Sequence, residues 1–77
     1  MPDKFSFFSF MTGQYMASEE GKCRGMVERE TGKISAVITY GVNSSYEERN
    51  LHISNHVHSF PYTVEDRIIL AARDAIR

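Results

Sequence analysis

The residues best equipped for chemistry are three histidines, His52, His56 and His58, and a single cysteine, Cys23. His56 and His58 are two positions apart, so on an extended strand both imidazoles project to one side, where a pair of ring nitrogens can hold a transition metal. His52 would share that side, but four residues of strand separate it from His56 by about 13 Å, too far for both rings to reach one ion. A metal centre would need a third ligand from a neighbouring strand. Cys23 suits that role chemically, yet the alternation described below puts it on the opposite face. A solvent-facing polar strand accounts for the three histidines more simply, and no metal or other cofactor is assigned.

Other catalytic constellations are no better supported. Nucleophilic catalysis needs a serine or cysteine beside a base in a concave site, and nothing in the chain assembles one. There is no glycine-rich phosphate loop, because Thr31-Gly32-Lys33 reads as a hairpin turn. Glu28, Glu30, Glu47 and Glu48 all have ordinary surface explanations rather than the pairing that acid–base work requires. The run His56-Val57-His58-Ser59-Phe60 is similar over five residues to the alternating histidines of the histidine-triad nucleotide hydrolases. Phe60 stands where the third histidine belongs, so the similarity implies no activity. The chain reads as a binding protein rather than an enzyme.

Seventy-seven residues make one domain, residues 1–77, close to the size at which a single core becomes marginal. With 42% hydrophobic and 25% charged residues the composition is that of a globular chain. A net charge of −1 gives no overall positive field to gather nucleic acid or anionic membrane. One cysteine excludes an internal disulfide and a Cys-x-x-Cys site, which fits a reducing, cytoplasmic setting. The opening MPDKFSFFSFMTGQYMAS has an apolar run, but Asp3, a lone Lys4 and two interrupting serines do not make a secretion signal. No segment reaches the roughly 18 apolar residues of a membrane span.

The elements that must position these groups centre on Lys22 to Gly41, which reads as two strands joined by a two-residue loop at Thr31-Gly32. That loop would pair Glu30 with Lys33, Val27 with Ala36, Met26 with Val37 and Cys23 with Tyr40. Cys23, Val27, Ile34, Ala36, Ile38 and Tyr40 then share an apolar face, while Arg24, Glu28, Glu30, Lys33, Ser35 and Thr39 share the other. Upstream, FSFFSFM over residues 5–11 reads as a strand apolar on both faces, with Phe5 and Phe7 on one side and Phe8 and Phe10 on the other. Thr12-Gly13 punctuates it, Gln14 to Ala17 suggests a short returning strand, and Ser18 to Gly21 a turn with Gly21 left-handed. Residues 41–45 read as loop, with a chance Asn-x-Ser pattern at Asn43, and Tyr46 to Arg49 as loop or strand start.

Asn50 to His58 alternates as a half-buried strand, with Leu51, Ile53 and Val57 inward and Asn55 among them, and His52, Ser54, His56 and His58 outward. Pro61 closes it, Thr63 caps a helix over residues 64–76, and Glu65 and Asp66 supply an acidic first turn. Val64, Ile68, Ala71, Ala72 and Ala75 form its apolar stripe with Ile69 and Ile76 at its border, whereas Asp66, Arg67, Arg73, Asp74 and Arg77 line the other side with Leu70 among them. The fold class is α+β, an antiparallel meander of four to five strands with one C-terminal helix across one face.

Binding is the function class this pattern favours. The outer hairpin face, Arg24, Met26, Glu28, Val37 and Thr39, adjoining His52, His56 and His58 if the two strands pair, offers apolar anchors among mixed charges. Phe8, Phe10 and Leu70 add apolar contacts left over from the core. A protein partner is expected, as for an adaptor, regulator or inhibitor, and a homodimer is one form of it. The alternative is single-stranded RNA or DNA held by Lys22, Arg24, Lys33 and the histidines, with an outward phenylalanine as stacking platform. Glu28 and Glu30 on the same face, and the slightly negative total charge, oppose that alternative.

Overall fold

The structure, a computed structural model, describes residues 4–16, 19–41 and 45–77. Four strands run in chain order, β1 (Phe5–Met16), β2 (Glu19–Glu28), β3 (Lys33–Tyr40) and β4 (Ser45–His52), followed by the helix α1 (Val64–Ala75). All neighbours are antiparallel and the sheet order is β1-β2-β3-β4, so the expected meander with a C-terminal helix is what forms. Principal extents of 41 × 29 × 16 Å describe a thin slab, one sheet and one helix deep.

The core lies between the sheet's inner face and α1. Cys23, Val27, Ile34, Ala36 and Ile38 are buried against Ile68, Ile69 and Ala72. Each fully buried isoleucine contributes up to about 2 kcal/mol, which is how one helix holds a four-stranded sheet. Phe8, Phe10, Tyr40 and Leu51 extend this layer across β1, β3 and β4. On α1, Thr63 caps the helix as expected: its hydroxyl accepts the Asp66 N–H at 3.1 Å, and the Asp66 carboxylate accepts the Thr63 N–H at 2.9 Å.

The hairpin register differs from the expected one by two residues. Val27 pairs with Ile34, Met26 with Ser35, Gly25 with Ala36, Arg24 with Val37 and Cys23 with Ile38. A two-residue loop at Thr31-Gly32 needs positive φ at its first position, Thr31, in either favoured turn type, and a β-branched threonine resists it. A four-residue turn over residues 29–32 places a positive φ at Gly32, at 80°, with the Gly32 N–H donating to the Glu28 carbonyl. Glu30 therefore lies in the turn, and Lys33 pairs with His52 on β4 instead. A shift of two preserves every face, so the inner set stays inward.

Three further expectations are corrected. Thr12-Gly13 does not end the first strand: β1 continues to Met16 through register shifts after Met11 and Gln14, with Gly13 at φ 76° absorbing the first. Gly21 is not a turn residue but lies within β2, paired with Gly13 and Tyr40. The last strand begins earlier and ends earlier than its alternation suggests, spanning Ser45–His52 and not continuing to His58. At Ile53 to Asn55 the chain turns, with the Asn55 side chain and backbone folding back on His52, so the apparent alternation beyond His52 belongs to a loop. The Asn43 pattern and the turn at Ala17-Ser18 lie outside the described residues.

Candidate functional site

The outer face of the sheet carries no covering element among the described residues, because α1 occupies the inner face alone. Three rows of its side chains cross all four strands, and the pairs Phe5–Glu28 and Lys33–His52 lie beyond the first. Phe7, Met26, Ser35 and Asn50 make the first, Ser9, Arg24, Val37 and Glu48 the second, and Met11, Lys22, Thr39 and Tyr46 the third. Phe7 is 75% exposed and Tyr46 61%, with Met11 and Val37 also open to solvent. A shallow depression over the first two rows is lined by Phe7, Arg24, Met26, Val37, Glu48 and Asn50. Arg24 and Glu48 flank Val37 on either side, placing one positive and one negative group around an apolar centre.

This face unites Arg24, Met26, Glu28, Val37 and Thr39, as the alternation of the hairpin requires. Met26 and Val37 are not opposite one another but diagonal neighbours, in adjacent rows. Of the histidines, only His52 reaches the same face, beside Lys33 at the sheet's end. Phe8 and Phe10 lie on the other side, packed on the core, and it is Phe5 and Phe7 that face outward. A strand apolar on both faces cannot choose between these pairs by itself; the register against β2 decides it, by placing Phe8 over Gly25. Leu70 is half-buried on α1, beside Arg73, Asp74 and Arg77 and away from this face.

The histidines serve separate local roles. His52 Nε2 lies 2.6 Å from the Thr31 carbonyl, while Nδ1 lies 3.1 Å from the Ser54 N–H and 2.8 Å from the Ser54 hydroxyl. A neutral ring protonated on Nε2 satisfies all three contacts and ties the β2–β3 turn to the end of β4. Both nitrogens are thereby engaged, leaving neither for a metal. The Ser54–His52 contact pairs a hydroxyl with a base, but it sits in an exposed turn, apart from the depression on the sheet. His56 and His58 meet edge to face at 5.5 Å between ring centroids. Among the described residues no three histidine, cysteine or acidic side chains cluster as a metal site.

His58 is bound to Asp66, which was expected on the solvent side of α1 and is instead 1% exposed. The Asp66 carboxylate accepts the His58 N–H at 3.1 Å and approaches His58 Nδ1 at 3.0 Å, in addition to the Thr63 N–H. These donors, the Thr63 backbone foremost, hold its carboxyl well below the usual carboxylate range against the opposing effect of burial. The sequence signal for this role was present in the Thr63-x-x-Asp66 spacing of a capping box; the burial was not. At the other end of the loop, Arg73 donates to the Ile53 and Asn55 carbonyls and fastens the segment to the last turn of α1.

Two charged groups sit on the inner side of β4. Arg49 donates to Glu47 at 2.5 Å and to Glu65 of α1 at 2.9 Å, and the Tyr40 hydroxyl donates to Glu47 at 3.3 Å. This network joins the β4 edge to the helix start. Cys23 is fully buried, and burial pushes its thiol up to about 11, with the nearby Arg67 charge opposing only part of the rise. Such a thiol is an apolar core group, as the inward alternation implies.

Fold and surface together define a class: a two-layer α+β domain, a four-stranded antiparallel meander backed by one helix, with an open sheet face of mixed apolar and charged character. No protein-family model, curated protein or solved structure matches the chain. No helix among the described residues is long and apolar enough to cross a membrane.

Proposed function

We propose that this domain is a non-catalytic protein-binding module, of the adaptor, regulator or inhibitor kind, that works in a cytoplasmic setting as a homodimer and docks a protein partner on its outer sheet face. The observation that carries this reading is Phe7, three-quarters exposed beside Met26 and Val37 on a face that no described element covers. Apolar anchors interspersed with Arg24, Glu28, Lys33 and Glu48 match the make-up of a protein interface, in which aromatic and methionine contacts are framed by charges of both signs. The three histidines are dispersed, and none of them lines the depression.

Single-stranded nucleic acid is the second reading, supported by Phe7 as a stacking platform near Arg24 and Lys22. Glu28 and Glu48 stand on the same face, where they would repel phosphates. Affinity capture from native lysate, with protein and nucleic acid analysed separately, tests the two against a Met26→Lys/Val37→Lys variant. Specific protein capture by the natural chain that the variant loses is the expected result. Capture of nucleic acid that falls steeply with salt would replace the protein reading, and capture indifferent to the variant would remove the outer face from the function.

A further inference from the structure

The two edges of the sheet are built differently. β4 carries Glu47, Glu48 and Arg49, two of them on its inner side, and inward or edge charges are a principal means by which proteins block strand addition. β1 carries no charge: from Phe5 through Ser18 the chain has no Asp, Glu, Lys or Arg. Neither proline of the chain interrupts it either, and its regular part, residues 5–11, pairs with β2 without a bulge. One edge is therefore guarded, whereas no charge or proline of β1 itself, and no other strand among the described residues, blocks the other.

We infer that β1 pairs antiparallel with β1 of a second copy of this chain, about a twofold axis at Phe8, forming a continuous eight-stranded sheet. The proposal rests on the homodimer part of the function proposed above and names its contact. Twofold pairing with both helices on one side of the sheet must place a residue opposite its own copy, because opposed residues share a face. The bulge after Met11 limits the usable segment to residues 5–11, and its midpoint is Phe8. Arg67 marks the same boundary, donating to the Met11 and Thr12 carbonyls at 2.7 and 3.1 Å.

This register is self-complementary in size. Phe7 falls opposite the partner's Ser9 on the outer face, and Ser6 falls opposite the partner's Phe10 on the inner face, so each large ring meets a small side chain. Phe5 meets the partner's Met11, and the two Phe8 rings meet across the axis. Within the segment no like charges are opposed, since it has none; Lys4 and Arg67 stand just beyond its two ends. Joining the sheets sets the two outer faces side by side, with the exposed Phe7 side chains flanking the axis.

Light scattering across a concentration series, on the natural chain and on Ser9→Lys, tests the contact. Ser9 is exposed, so a lysine there guards the edge without entering the core. The natural chain is expected at twice the mass of one chain and Ser9→Lys at the mass of one, with unchanged circular dichroism and a lower thermal midpoint, because the dimer no longer stabilises the fold and the new charge stands opposite Arg24. For the register, Phe7→Cys and Ser9→Cys chains are mixed under mild oxidation: a disulfide between the two variants is expected, and none within either alone, where the cysteines stand too far apart. A natural chain that stays monomeric overturns both the dimer and its edge, while leaving partner docking on the outer face to the capture experiment. A dimer that survives Ser9→Lys but dissociates in Met26→Lys/Val37→Lys overturns the edge contact alone.

Discussion

The ring of Phe8 lies across Gly25 on the neighbouring strand, so closely that a Cβ at position 25 would stand 2.4 Å from Cζ and 2.7 Å from Cε1. Absence of a side chain on β2 is what lets the aromatic ring of β1 lie down over the sheet and join the core. Gly25→Ala is expected to destabilise the fold by about 1–3 kcal/mol through overpacking. Urea unfolding measures it, and Phe8→Leu in the same background should recover part of the loss, because the two substitutions share one contact. Independent, additive effects would refute the account.

Gly32 closes the β2–β3 turn with φ of 80°, and a Cβ there would meet Ile53 Cγ1 at 2.7 Å. Both backbone strain and a clash act against any side chain. Gly32→Ala should cost roughly 1–3 kcal/mol in chemical denaturation, more than an alanine substitution at the neighbouring exposed Thr31. Equal costs at the two positions would show that the turn is not held in this conformation.

Asp66 predicts an acid dependence of stability. Its folded carboxyl is held below the ordinary range while the unfolded one titrates normally, so the unfolded chain takes up the proton first as pH falls. The stabilisation is complete above the ordinary carboxylate range and is lost as pH falls from about 5 towards 2. Asp66→Asn should be less stable near neutrality and show a flatter stability profile across that window, read from thermal unfolding. A variant with the same acid slope as the natural chain would assign the sensitivity to other carboxylates.

Cys23 should be silent towards thiol reagents in the folded protein. With its thiol pushed up to about 11 and no exposed surface, alkylation near pH 8 has to wait for opening of the core. The labelling rate is expected to track stability across denaturant concentrations and across the glycine variants. Labelling at the rate of a free thiol in native buffer would contradict the burial.

The sequence by itself determined the fold class, the inner and outer faces of the hairpin and the capped C-terminal helix. Those follow from local periodicity: period two on β2 and β3, a 3.6-residue stripe on α1, and a cap of fixed spacing at Thr63 and Asp66. Only the tertiary structure decided which phenylalanines face solvent, because Phe5 to Phe10 is apolar on both sides and the choice depends on Gly25, fifteen or more residues away. It likewise decided that His52, His56 and His58 do not form one surface. The alternation past His52 is indistinguishable from a strand in sequence, whereas contacts from Asn55 to His52, Asp66 to His58 and Arg73 to the loop carbonyls fold it away. The difference between a guarded β4 edge and an unguarded β1 edge needed both: charges are visible in the sequence, but which strands lie at the edges is set by the order in which the meander pairs.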